Sequence, residues 1–243
     1  MLLRHSTVLL EIAGRRVLFE PSLSPSFSAQ GLFSAPTPAR DPSELGPLDV
    51  VCISSGEVTS LDPRTLLALD AKRASILVGD DDTAARVRHL GWRRVRVMTA
   101  GNSVDIGGLR FLASPGHGVF GAAVGFVVDD RGFRVWHTGP LAALETDATV
   151  AGFAAAHPVD VVLGCSNGLR LRTGGAPLQA EYADVVTLAR VAQARTLVPI
   201  GNDATPAGVF SLVWARDDDE DALHNAPPAV VRPTPGDWFA ATR

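Results

Sequence analysis

The chain has 243 residues, 46% of them hydrophobic and 20% charged, with a net charge of −4. That balance describes a globular chain with ample material for a core, and it leaves no basic excess for neutralising nucleic-acid phosphates. No run of about 18 apolar residues is available to cross a membrane, and no charged start followed by an apolar stretch marks a leader, so a cytoplasmic protein is expected.

Strand-like runs alternate with turn signals from the first residues. Thr7 to Ile12 and Arg16 to Glu20 flank Ala13-Gly14-Arg15 and read as a hairpin. Pro21 to Pro47 is rich in Ser, Pro and Ala and reads as a long surface loop, with Phe27, Leu32 and Phe33 available to roof a pocket. Beyond Pro47 the pattern becomes strand, helix, strand, helix. Val50 to Ser54 is a β-branched strand, and Asp62 opens a helix with proline in its first turn. Ser75 to Val78 is a buried strand. Asp80-Asp81-Asp82 stands where a helix N-terminus favours negative charge, so it reads as a cap for Thr83 to Leu90 rather than as a metal site.

The middle third is strand-rich: Val95 to Met98, Ser103 to Ile106, Leu109 to Ala113, Ala122 to Val128 and Phe133 to His137. Arg93-Arg94-Val95-Arg96, the densest cluster of arginines, reads as a solvated strand edge. The last third alternates again, with a strand at Val159 to Leu163, a helix at Glu181 to Ala192 and a strand at Thr196 to Ile200. Asp217 to Asp221 is an acidic run without the spaced oxygens and glycine turn of a calcium loop. The two cysteines, Cys52 and Cys165, form no Cys-x-x-Cys pair, which excludes a zinc knuckle.

Several segments in order resemble the metallo-β-lactamase superfamily, in its hydrolase-like branch. They are Arg4-His5-Ser6-Thr7 at the opening, Val17-Leu18-Phe19-Glu20-Pro21 (where the family usually has Asp for Glu20), the hairpin Asn102 to Arg110, Ser114-Pro115-Gly116-His117-Gly118, Asp160 to Leu163, and Leu197-Val198-Pro199-Ile200. The resemblance covers nearly the whole chain. It implies a single domain over 1–243 with a four-layer αββα sandwich, two β-sheets inside and helices on both outer faces.

The departure lies in the ligands. The family's His-x-His-x-Asp-His signature aims imidazoles and a carboxylate from a strand-to-helix turn at one or two zinc ions, whose bound water then ionises near neutral pH. Here Ser55-Gly56-Glu57-Val58-Thr59-Ser60 puts Ser55, Glu57, Thr59 and Ser60 on those four positions. The third-ligand histidine is retained as His117, in what reads as a Pro-Gly-His loop. Pro140 falls where the bridging Asp belongs, with His137 three residues before it. Gly201-Asn202-Asp203 stands where the last histidine should follow its strand.

A binuclear zinc centre is therefore not encoded, and no cofactor is implied. Glu57 and His117 form a candidate acid–base couple. Cys165, at the end of a strand beside the expected pocket, is a candidate nucleophile against a packing role. His5, Ser55, His137, Asn202 and Asp203 are candidate ligand contacts, while His89, His157 and His224 read as surface residues. A single metal on Glu57, His117 and His137 requires a slipped alignment. Three readings remain: a non-metallo pseudoenzyme or ligand-binding homologue of these hydrolases, a metal-independent or mononuclear enzyme acting on a small molecule, and a structural subunit of a homo-oligomer. A small-molecule partner is expected, and neither nucleic acid nor membrane.

Overall fold

The structure is a computed structural model, and it describes residues 1–24, 33–34, 36–118, 121–142, 148–171, 177–201, 205–206, 212–214 and 228–241. The first sheet holds β1 (Leu2–Arg4), β2 (Thr7–Ile12), β3 (Arg15–Phe19), β4 (Val50–Ile53), β5 (Ser75–Val78) and β6 (Val95–Val97), side by side in that order. The second holds β7 (Ser103–Ile106), β8 (Leu109–Gly118), β9 (Gly121–Asp130), β10 (Phe133–His137), β11 (Val161–Cys165), β12 (Thr196–Ile200) and β13 (Ala229–Val230), again in chain order. Hairpins join the antiparallel neighbours. Parallel neighbours follow longer crossovers, which carry helices α1 (Pro63–Ala68), α2 (Asp81–His89), α3 (Ala148–Ala156) and α4 (Tyr182–Val191).

Period-two alternation explains the layers. In β3, Val17 and Phe19 enter the core between the sheets while Leu18 faces the outer layer, and in β4 Val50 and Cys52 face inward while Val51 and Ile53 face outward. The outward set packs with Leu66, Ala84 and Val87 of α1 and α2. On the second sheet Val135, Leu163 and Ile200 join the inner core, and Trp136, Val162 and Leu197 pack against α3 and α4. Strands buried on both faces read as continuous apolar runs for this reason. The result is the four-layer αββα sandwich that the resemblance implies.

Local chemistry sets the helix starts. Asp62 accepts from the Arg64 amide at 3.1 Å, and Asp80 from the Thr83 amide at 2.6 Å and the Thr83 hydroxyl at 2.7 Å. The acidic triplet is thus a cap, with Asp80 as N-cap and Asp81 and Asp82 in the first turn.

One expectation changes, and one helix is added. Ser114 to Gly118 is not a loop: β8 runs on through it, pairing Pro115 with Val124 and His117 with Ala122. Helix α3 was not legible, because its alanine-rich run is apolar almost all round and shows no helical stripe. Of the long Pro21 to Pro47 segment, Pro42–Leu45 forms a 3₁₀ turn capped by Asp41, and Phe33–Ser34 pairs with Thr205–Pro206. Phe27, Leu32, Asn202, Asp203, His224 and the acidic run lie outside the described residues.

Candidate functional site

The ends of β4, β10, β11 and β12 meet at one edge of the sandwich, where backbone bonds join the two sheets. The Val124 amide, past the end of its pairing with β10, donates to the Ser54 carbonyl at 3.2 Å, and the Gly201 amide donates to the His5 carbonyl at 3.1 Å. Gly139 sits in this junction with φ +64, its Cα against the Val124 carbonyl and the Ser54 side chain, where a larger residue has no room.

The signature-equivalent segment follows β4 immediately. Ser55 and Ser60 are buried, Glu57 and Thr59 half-buried. Beneath them lies a carboxyl that sequence reasoning did not single out as a site residue. Glu20 is wholly buried at the end of β3, in the left-handed region at φ +48. Its carboxylate accepts from the Ser54 amide at 2.8 Å and the Ser54 hydroxyl at 2.7 Å, and the Ser54 and Ser60 hydroxyls are 3.0 Å apart. Burial raises the Glu20 pKa to about 7, against the hydrogen bonds from Ser60 and Ser54. The available signal was the acid ending the apolar run Val17-Leu18-Phe19-Glu20.

His137 belongs to this interior and not to an open pocket. Its ring is fully buried, stacked on Phe19 with centroids 4.8 Å apart. Nδ1 accepts from the Gly139 amide at 3.2 Å, which fixes the proton on Nε2, and Nε2 donates to the Ser6 carbonyl at 2.9 Å. Desolvation lowers its pKa to about 4. With both nitrogens engaged it has no lone pair to offer an ion.

Cys165 lies in the inner core, its amide donating to the Thr138 hydroxyl at 3.1 Å. Burial pushes its thiol up to about 12, which disfavours the thiolate that a nucleophile needs. His5 is buried at φ +51 in the turn between β1 and β2. His117 is exposed near the end of β8. Next to it, the Glu57 carboxylate packs against Gly118, leaving no room for a β-carbon there. His89 is exposed, and His157 lies half-buried with its ring 4.4 Å from that of Phe153.

Glu57 also lines a cleft of about 330 Å³ with Ser55, Asp80, Asp82, Thr83 and Arg86. The Arg86 guanidinium closes one side by donating to the Gly56 carbonyl at 2.9 Å. Hydroxyls, carboxylates and one cation suit a small polar ligand with several hydrogen-bonding groups. They do not suit the two-metal group of the fold. Serine and threonine hydroxyls replace imidazole and carboxylate donors, and among the described residues no three His, Cys, Asp or Glu side chains come together to hold an ion. The ligand set Glu57, His117 and His137 is thus not assembled.

The sequence model of the β-lactamase superfamily domain matches residues 2–201. An isothiocyanate hydrolase from Delia radicum gut bacteria superposes with a TM-score of 0.78 at 17% identity, covering 100% of this chain and 98% of that one. A protein described as a possible metal-dependent hydrolase from Veillonella parvula gives 0.77 at 15% identity, with 97% of each chain covered. A diiron β-hydroxylase from Streptomyces venezuelae gives 0.68 at 12% identity, over 96% of this chain and 52% of that one. At these identities the likeness is one of fold. No curated protein matches the chain by sequence.

Proposed function

The chain belongs to the β-lactamase superfamily, and we propose that it acts there as a non-metallo homologue that binds a small polar molecule, not as a two-zinc hydrolase. One observation carries the reading: the donors at the signature positions are hydroxyls, with Glu57 the sole carboxylate among Ser55, Thr59 and Ser60. Hydroxyls of neutral serine and threonine do not hold a zinc ion, and the buried His137 spends both nitrogens on backbone groups. Ser60, at the last of the four signature positions, hydrogen-bonds with Ser54, which in turn donates to Glu20. What survives is a concave polar surface around Glu57, Asp80 and Arg86.

Elemental analysis of protein purified without added metal or chelator tests this directly. Less than one transition metal per chain is expected, and two per chain retained through dialysis would overturn it. Fragments found by ligand-observed NMR should lose affinity with Glu57→Gln and keep it with His89→Ala.

A second reading, metal-independent acid–base catalysis by Glu57 and His117, is favoured by the packing of the Glu57 carboxylate on Gly118, the neighbour of His117. Hydrolase activity that persists in chelator and disappears in both His117→Ala and Glu57→Gln would establish it.

A further inference from the structure

A second concave site lies on a different edge of the sandwich. β6 ends the first sheet and β7 ends the second, and the short connection between them brings these two edges together. Between them is a cavity of about 300 Å³. Val104 and Ile106 of β7, half-buried against the inner core, give it an apolar wall. Arg93, Arg94 and Arg96 line the same cavity. In the parallel register Arg96 pairs with Leu77, so Arg96, and Arg94 two residues before it, share the inward face of the sheet at its open margin.

These cations are poorly compensated. Among the described residues the guanidiniums of Arg93 and Arg96 have no hydrogen-bonding or ion-pair partner, and Arg94 only donates to the Arg73 carbonyl at 3.3 Å. Among the described residues the one acid lining the cavity, Asp105, already faces Arg110 at 3.4 Å. Protection of an edge strand against aggregation asks for a charge along the strand. It does not ask for three cations around one hollow in a chain whose net charge is −4. Guanidinium pairs fork carboxylate and phosphate oxygens, and an apolar wall takes the body of the molecule that carries them.

We propose that this edge cavity binds a small amphiphilic anion, its carboxylate or phosphate head held by Arg94 and Arg96 and its short apolar body laid on Val104 and Ile106. The site is independent of the Glu57 cleft and of whether that cleft binds or catalyses. Calorimetric titration with octanoate, octyl phosphate and 1-octanol tests it, with methyl NMR shifts of Val104 and Ile106 reporting the location.

At least one of the two anions is expected to bind at least tenfold tighter than octanol, shifting both methyl sets, and the tighter of them identifies the head group. Binding should weaken at least tenfold in Arg94→Gln/Arg96→Gln and in high salt, and stay unchanged in Arg64→Gln. Single Arg96→Gln, an exposed change, serves if the double variant melts early. Binding of octanol as tight as both anions, unchanged anion binding in the arginine variants, or no binding of any probe at millimolar concentration would each overturn the proposal.

Discussion

Two buried titratable groups at the junction of the sheets pull the pH dependence of stability in opposite directions. Glu20 has its pKa raised from 4.5 to about 7, so its contribution is fully present below pH 4.5 and is lost as pH rises through 7. His137 is lowered from 6.5 to about 4, so its contribution is present above pH 6.5 and is lost as pH falls through 4. Between about pH 4.5 and 6.5 the two slopes oppose each other. Each amounts to about 3 kcal/mol over its window, since one pKa unit is roughly 1.4 kcal/mol. Glu20→Gln removes the first and exposes the second. Urea unfolding at several pH values should show the stability of the variant relative to the parent rising by about that amount between pH 4.5 and 7. A difference that stays flat across that range would mean Glu20 does not titrate in the folded chain. The thiols give a separate check. Cys52 and Cys165 are both buried with raised pKa values, so neither should react with a thiol reagent at pH 8 until the chain is unfolded. Rapid labelling of Cys165 in the native protein would favour its reading as a nucleophile over a packing role.

At the level of elements, what could be read from the sequence depended on whether local chemistry or tertiary packing decided the outcome. Asp80 was legible because an N-cap depends on the residues beside it, and its two bonds to Thr83 are local. Asp80→Ala should therefore cost about 1 kcal/mol, and Asp81→Ala only a few tenths, in chemical denaturation. Equal costs would show that the bonds to Thr83 contribute nothing beyond the helix dipole. The apolar strands of both sheets were legible for the same reason, their β-branched runs being short and bounded by turns. Ser114 to Gly118 was not, because a proline and two glycines argue for a loop, whereas pairing with the ten-residue β9 holds them in a ladder. The site was half legible. The hydroxyls at the signature positions could be counted, but the burial of His137 could not be seen, since it follows from which face of β10 meets Phe19. Glu20 was missed as a site residue because one acid at a strand end has no pattern; only the fold brings Ser54 and Ser60 onto it.

Over the whole molecule, hydrogen bonds between protein groups cross from one sheet to the other at the edge that carries the candidate site. Val124 reaches Ser54, Gly201 reaches His5 and His137 reaches Ser6, each bond crossing from the second sheet to the first. The inner core adds one continuous apolar cluster shared by both sheets, from Val17 and Cys52 to Phe126 and Leu163. Neither sheet can leave without exposing the inner face of the other, so the halves should unfold as one unit. Trp92 and Trp136 are placed to test this, because each is fully buried, the first under the helices of the first sheet and the second under those of the second. With the other tryptophans replaced by phenylalanine, a chain keeping only Trp92 and a chain keeping only Trp136 give one fluorescence probe per half. Within each chain the fluorescence midpoint in urea should coincide with the midpoint from circular dichroism, and a chelator should shift neither. If Trp136 reports an earlier transition than the backbone does, the cross-sheet bonds do not couple the halves. If a chelator lowers both midpoints together, a bound ion is contributing the stability assigned here to Glu20, His137 and the backbone bonds around them.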